Sequence, residues 1–289
     1  MVSKNQSGRQ VSVVTGASGG IGRWIALGLA RAGHHVVLVC RDPARGAAAI
    51  DWIGRQAPSA GVELRHADLS SLRAACDLGR GLIADHPRIG LLINNAGMFT
   101  ARRQTTAEGV EAVLAVNHLA PLVLADILEP ALRAAAPSRI VNVGSSTSDR
   151  AAVDPDDLEL TRHWSMVRAY AGSKLAMMMA TFARAERLRG NGVVANVVHP
   201  GFVATGLIRE SGPIGVAGRL MSPFARTEEQ GAATPLHAAL SSDWATITGA
   251  YAKDRAIARP NPRARDPALV ARVERATRAL VSRTLGPIL

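Results

Sequence analysis

The chain has 289 residues, 47% of them hydrophobic, enough to bury a large core within a single α/β sheet domain. Its formal charge of +11 raises the question of nucleic acid, but the 31 arginines are scattered over the whole length and only 3% of residues are aromatic, so nucleic-acid binding is not expected. An uncharged apolar run of about 18 residues is missing, the start is polar, and Cys40 and Cys76 lack metal-ligand spacing, so the reading is no membrane span, no signal peptide, no metal and a cytoplasmic protein with reduced thiols.

The first β-type run, VSVVT at 11 to 15, leads into TGASGGIG, where Gly16, Gly20 and Gly22 are spaced G-x3-G-x-G. Glycine lets the backbone approach a pyrophosphate closely, and the N–H groups that open the next helix attract it. An ordinary tight turn is the alternative, and the place directly between a strand and a helix favours the dinucleotide. A helix over 20 to 32 follows, with Gly33 as a C-cap, and then VVLVC at 36 to 40. Here an acid would bind the ribose 2′-hydroxyl of NADH and an arginine the 2′-phosphate of NADPH. Arg41 stands next, whereas Asp42 precedes Pro43 and reads as an N-cap with proline at N1. NADPH is therefore expected over NADH.

Helical segments over 43 to 56, 70 to 84, 106 to 135 and 168 to 189 alternate with the runs VELRHA (62 to 67), LLIN (91 to 94), RIVNVG (139 to 144) and VVANVVH (193 to 199). This alternation predicts one doubly wound Rossmann-type parallel sheet with helices on both faces, spanning 1 to 289 as a single domain. Two segments break the rhythm, a polar stretch at 146 to 167 and a Gly/Pro-rich one at 200 to 226. Both follow strand C-termini, where parallel sheets bind ligands, and they are the expected substrate loop and lid. A last helix near 266 to 284 opens with Asp266 as N-cap and Pro267 at N1. It puts Leu269, Val270, Val273, Thr277, Leu280 and Val281 on one face, which packs back on the domain.

The stretch AYAGSKLA, 169 to 176, holds one of the two tyrosines and one of the three lysines. Tyr170 and Lys174 at i and i+4 share a helix face. A cation there is expected to favour phenolate and bring the phenol toward the working range, and lysine offers a compact charge with three donors. Ser145, at the end of a strand, can donate to a substrate carbonyl, or simply close a turn. Asn117 stands in the apolar AVLAVNHLAPLVL and by itself reads as a satisfied core asparagine. His118 and His199 read as structural. Asp149, Asp154, Asp156 and Asp157 belong to a turn-rich loop, where His163 and Trp164 either face substrate or anchor the loop. Met177 to Met179 read as core or subunit contact.

TGASGGIG, HADL (66 to 69), NNAG (94 to 97), VNHLAP (116 to 121), RIVNVGSS (139 to 146), YAGSK (170 to 174) and HPGFVAT (199 to 205) occur in order. Together they resemble the short-chain dehydrogenase/reductase family over nearly the whole chain. Within it, VNHLAP, the long segment after Ser145 and the ending look like the branch of retinol dehydrogenases and protochlorophyllide reductases. The resemblance implies a catalytic tetrad of Asn117, Ser145, Tyr170 and Lys174, with Ser146 as the alternative serine and Asn117 holding a water that links to the lysine. It implies cofactor contacts at Gly16, Ser18, Gly19, Gly20, Ile21, Gly22, Tyr170, Lys174, Pro200, Gly201 and Val203. Asp68 and Leu69 would lie near the adenine, Asn94, Ala96 and Gly97 near the riboses, and Thr205 near the nicotinamide amide.

The expected function is an NADPH-dependent reductase of ketones or aldehydes, reversible as an alcohol dehydrogenase, with a small-molecule substrate. Reduction of an enone C=C bond and non-catalytic dinucleotide sensing are the alternatives. Family members often form dimers or tetramers through the helices at 106 to 135 and 168 to 189.

Overall fold

A computed structural model describes residues 8 to 203 and 225 to 286. Alternation of strand and helix produces β1 (Val11–Thr15), α1 (Gly20–Arg31), β2 (His35–Cys40), α2 (Pro43–Gln56), β3 (Gly61–His66), α3 (Leu72–Asp85) and β4 (Leu91–Asn94). There follow α4 (Ala112–Ala134), β5 (Ser138–Val143), α5 (Met166–Arg187), β6 (Val193–His199), α6 (Glu228–Leu240), β7 (Tyr251–Lys253), β8 (Ala256–Ala258) and α7 (Pro267–Leu285). The sheet order is β3-β2-β1-β4-β5-β6-β7-β8, parallel except for the β7–β8 pair. Strand order reverses between β1 and β4, where a doubly wound sheet opens a crevice at its C-terminal edge.

Successive side chains of a strand point to opposite faces, and this builds the two halves of the core. Val13, Val37 and Val39 face the layer of α3 and α4, while Val14, Val36 and Leu38 face the layer of α1, α2 and α6. The helix ends follow the expected chemistry. Asp42 accepts from Arg45 N at 3.1 Å to start α2, Asp266 accepts from Ala268 N and Leu269 N to start α7, and Gly33 takes a φ of 86° after α1.

The short β7–β8 hairpin was not foreseen. Its strands are three residues each without an alternating pattern, and its turn uses Asp254 and Arg255 at φ 51° and 65°, the left-handed geometry usually marked by glycine. By length and composition α4 is apolar enough to cross a membrane, with mean hydropathy 1.6, but 89% of that window is buried within this fold, which makes it a core helix.

The last helix packs against α4 and α5, the two helices through which family members often form dimers or tetramers. Val273, Thr277 and Val281 are buried, and Thr277 Oγ1 hydrogen-bonds the buried His118 at 2.9 Å. Burial pushes His118 down to about 4, so its ring is neutral and structural. Asp126 of α4 joins all three helices, pairing with Arg184 of α5 at 2.5 Å and with Arg278 of α7.

Candidate active site

The glycine turn after β1 is shaped by close packing. A Cβ on Gly22 would lie 2.3 Å from Gly16 O and 2.4 Å from Asn95 Nδ2, and one on Gly16 would lie 2.8 Å from Ala96 Cα. Gly16 and Gly20 also take positive φ, at 67° and 59°. The turn is tied to the end of β4 by Thr15, whose Oγ1 accepts from Asn95 N and Ala96 N at 3.0 Å each, and by Asn95 Nδ2, which donates to Thr15 O and Gly16 O. Thr15 and Asn95 were missed in the sequence, although NNAG contains the second.

These residues fit a dinucleotide. Side chains cap α2 to α7 (Asp42, Ser71, Glu111, Ser165, Thr227 and Asp266), whereas α1 opens at Gly19 with no capping side chain and no acid in its first turn. Its first N–H groups thus keep their donors for an anion. Ser18 and Gly19 belong to this turn, while the Ile21 side chain is buried in the core with Val203. Burial pushes the nearby Cys40 thiol upward, so Cys40 is an inert buried thiol.

At the end of β2, Arg41 is exposed and Asp42 is committed to its capping bond. Arg45, not foreseen, places its guanidinium beside the turn, 3.2 Å from where a Cβ of Gly19 would be. Asp68 accepts from Ser70 N at 2.9 Å in the turn after β3, and Leu69 is buried in the core. Asn94 Nδ2 donates to Asn142 Oδ1 at 2.8 Å, Asn142 Nδ2 to Thr181 Oγ1 at 2.7 Å, and the buried Asn94 Oδ1 has no partner among the described residues. Pro200 is buried and Gly201 takes φ 87°, its absent Cβ leaving room for Arg226. Thr205 and most of the expected lid at 200 to 226 lie outside the described residues.

Tyr170 and Lys174 occupy adjacent turns of α5, which meets the end of β5. Lys174 is 3% exposed and its Nζ donates to Val143 O at 2.8 Å, two residues before Ser145. The Tyr170 phenol lies beside Ser145, which favours its ionised form, and Phe99 packs edge-on against its ring at 5.2 Å. Ser145 Oγ accepts from Thr147 N at 3.3 Å and from Thr147 Oγ1 at 3.1 Å, which leaves its own proton to point at the phenol. Ser146, the alternative, is exposed.

Asn117 lies in a π-turn, Ala115–Leu119, within α4, a distortion common at functional sites. It is wholly buried: Oδ1 accepts from Met98 N at 2.7 Å, and Nδ2 donates to Met98 O at 3.0 Å and Ser173 Oγ at 3.1 Å. Ser173 in turn donates to Tyr170 O at 2.9 Å, linking Asn117 to the tyrosine's main chain.

The electrostatics differ from expectation. Burial raises the Tyr170 phenol above its ordinary value, Ser145 beside it offsets only part of this, and the lysine does not pull it down. Burial also lowers Lys174, to about 8, because nothing in its surroundings rewards the charge strongly. The phenol is therefore a protonated donor at neutral pH.

Other expected residues have plain roles. Trp164 Nε1 donates to the buried Glu111 at 3.2 Å and anchors the polar loop, in which Asp154 and Asp157 pair with Arg162 and Asp156 with Arg272. Met177 to Met179 are core. His35 and His86 donate to Glu63 near the start of β2, but Arg65 already balances that carboxylate at 3.1 Å, as in a structural cluster.

An alternating α/β sheet with a glycine turn, an uncapped helix start and a Ser–Tyr–Lys group at one edge defines a dinucleotide-dependent oxidoreductase. Residues 10 to 213 match the family described as short chain dehydrogenase. The chain is 37% identical over 257 residues to retinol dehydrogenase 12 of Homo sapiens, covering 89% of this chain and 81% of that protein. It is 35% identical over 261 residues to human retinol dehydrogenase 13, covering 88% and 79%. A crystal structure of an uncharacterised protein from Mycobacterium paratuberculosis superimposes with a TM-score of 0.77 at 27% identity, covering 96% of this chain and 95% of the other. The RhlG/NADP active-site complex of Pseudomonas aeruginosa does so with a TM-score of 0.66 at 27% identity, covering 84% and 93%. The chain belongs to the short-chain dehydrogenase/reductase family. It is an NAD(P)-dependent oxidoreductase acting on CH–OH groups.

Proposed function

We propose that this enzyme is an NADPH-dependent carbonyl reductase, converting ketones or aldehydes to alcohols and running reversibly as an alcohol dehydrogenase. The observation that carries the reading is the placement of Ser145 beside the Tyr170 phenol, with Lys174 anchored at the same strand end. When bound, NADPH supplies the hydride. Tyr170, kept protonated by burial, donates its proton to the carbonyl oxygen as charge develops there. Ser145, its acceptor sites filled by Thr147, donates a second hydrogen bond to that oxygen. Lys174 supplies positive charge at the end of β5, bound to Val143 O, and Asn117 holds the first turns of α5 through Ser173. The Phe99 ring beside the phenol favours an apolar carbonyl over a charged one.

NADPH is favoured by the pair Arg41 and Arg45 and by an Asp42 already used as a cap. Replacing both arginines with alanine is expected to raise KM for NADPH by roughly tenfold to a hundredfold, the scale of charge-assisted bonds to phosphate, with kcat and the KM for NADH little changed. Initial rates with each cofactor check this, and equal losses with NADH would remove the phosphate assignment.

The pH profile follows from Lys174. Its lowered pKa, about 8, means that the cation is present below that pH and lost above it, while Tyr170 stays protonated. For the free enzyme, kcat/KM for carbonyl reduction is expected to be flat near pH 7 and to fall as pH rises through about 8. A profile flat to pH 10 would contradict this role for the lysine. The function itself is tested by following NADPH absorbance with a panel of ketones, aldehydes and enones. Tight NADPH binding without turnover of any of them would sink it.

A further inference from the structure

The turn that carries Ser145 is held from behind by a second tyrosine and lysine. Residues Ser146–Arg150 form a 3-10 turn capped by Ser145. So short a turn has poor hydrogen-bond geometry and does not hold its shape unaided. Asp149, within it, accepts from Tyr251 Oη at 2.9 Å and pairs with Lys253 Nζ. Tyr251 and Lys253 stand two apart on β7, so they present the same face, and β7 is fixed to β6 through the pairs Val197↔Tyr251 and His199↔Lys253.

The neighbouring residue is fastened too. Ser148 is wholly buried, its Oγ donates to Ser145 O at 2.6 Å, and its own carbonyl accepts from the buried Asn261 Nδ2 at 2.8 Å. Burial and the Asp149 charge raise the Tyr251 phenol, so it remains a donor at any working pH. Among the described residues, the charged or titratable groups beside the pair are His199, which burial lowers to about 4 and leaves neutral, and Arg226 with Asp254, which bind each other at 2.6 Å.

We propose that Asp149, gripped by Tyr251 and Lys253, is a positioning residue for carbonyl reduction: it fixes the turn that aims the Ser145 hydroxyl at Tyr170 and the substrate oxygen. The inference rests on the reading of Ser145 given above. It gives a role to the hairpin that carries one of the two tyrosines and one of the three lysines.

A double-mutant cycle tests it. Asp149→Ala is expected to lower kcat about tenfold, the order of loss that follows from a misaimed catalytic group, with NADPH affinity and melting temperature near those of the parent. In a Ser145→Ala background the same change is expected to cost less than about twofold, because the group it aims is gone. Tyr251→Phe, which keeps the ring and removes one bond, serves as the milder variant if Asp149→Ala does not fold, with a smaller loss that also vanishes without Ser145. Equal losses in both backgrounds, or none in either, overturn the proposal while leaving the reductase reading intact. A Ser145→Ala enzyme at the parental rate would remove both.

Discussion

Tyr170→Phe is expected to lower kcat for carbonyl reduction by roughly a hundredfold to ten-thousandfold, the range that a positioned general acid contributes, while NADPH still binds. The ring keeps its place in this variant. Phenylalanine fills the same volume, retains the edge-on contact with Phe99, and leaves Ser145 its two bonds from Thr147. Only the proton donor is lost, so the defect belongs in kcat rather than in cofactor affinity. Single-turnover rates with a reactive aldehyde, together with NADPH binding by fluorescence, separate the two, and an unchanged rate would mean that some other group delivers the proton.

The largest expected effect on stability lies away from the site. Asp126→Ala should destabilise the protein by about 3 kcal/mol, because it strands a buried cation. Arg184 has a side chain only 4% exposed and bonds Asp126 at 2.5 Å, with Arg278 on the other oxygen. Glu129, 3.5 Å from Arg184, and the Leu122 carbonyl keep part of the charge matched, which holds the cost to the low end for a broken buried pair. Burial pushes the Asp126 carboxyl up, but the two arginines outweigh it and hold it below its ordinary 3.8. The contribution is therefore present above the ordinary carboxylate range and lost as pH falls below it. Urea unfolding at pH 7 measures the loss. Asp126→Leu combined with Arg184→Met should be clearly less damaging, since the buried Arg184 cation is gone while Arg278 reaches solvent and Glu129 keeps Arg187, and an equal loss in the double variant would contradict an electrostatic origin.

Six strands and the helices between them were legible because short β-branched runs, buried on both faces, alternate with longer helix-like stretches and because Asp42, Asp266, Gly33 and the glycine turn punctuate them. The hairpin β7–β8 was not, since three-residue strands carry no period and its turn uses aspartate and arginine at positive φ. Within the site, Tyr170 and Lys174 were found by scarcity and spacing. Arg45 was hidden because its closeness to Gly19 depends on how α2 crosses the end of β2, which no local pattern encodes. The same limit explains the phenol: spacing put a cation on the right face, but burial dominates both side chains and the ammonium is drawn to the Val143 carbonyl.

The most direct measurement is the fate of the transferred hydride. The protein would be given an apolar enal and NADPH deuterated at the transferring position, and the product examined by NMR. Deuterium on the carbinol carbon of a new alcohol, with the double bond kept, is the expected result. Deuterium at the β-carbon with the carbonyl intact would show that Tyr170 and Ser145 do not serve carbonyl reduction.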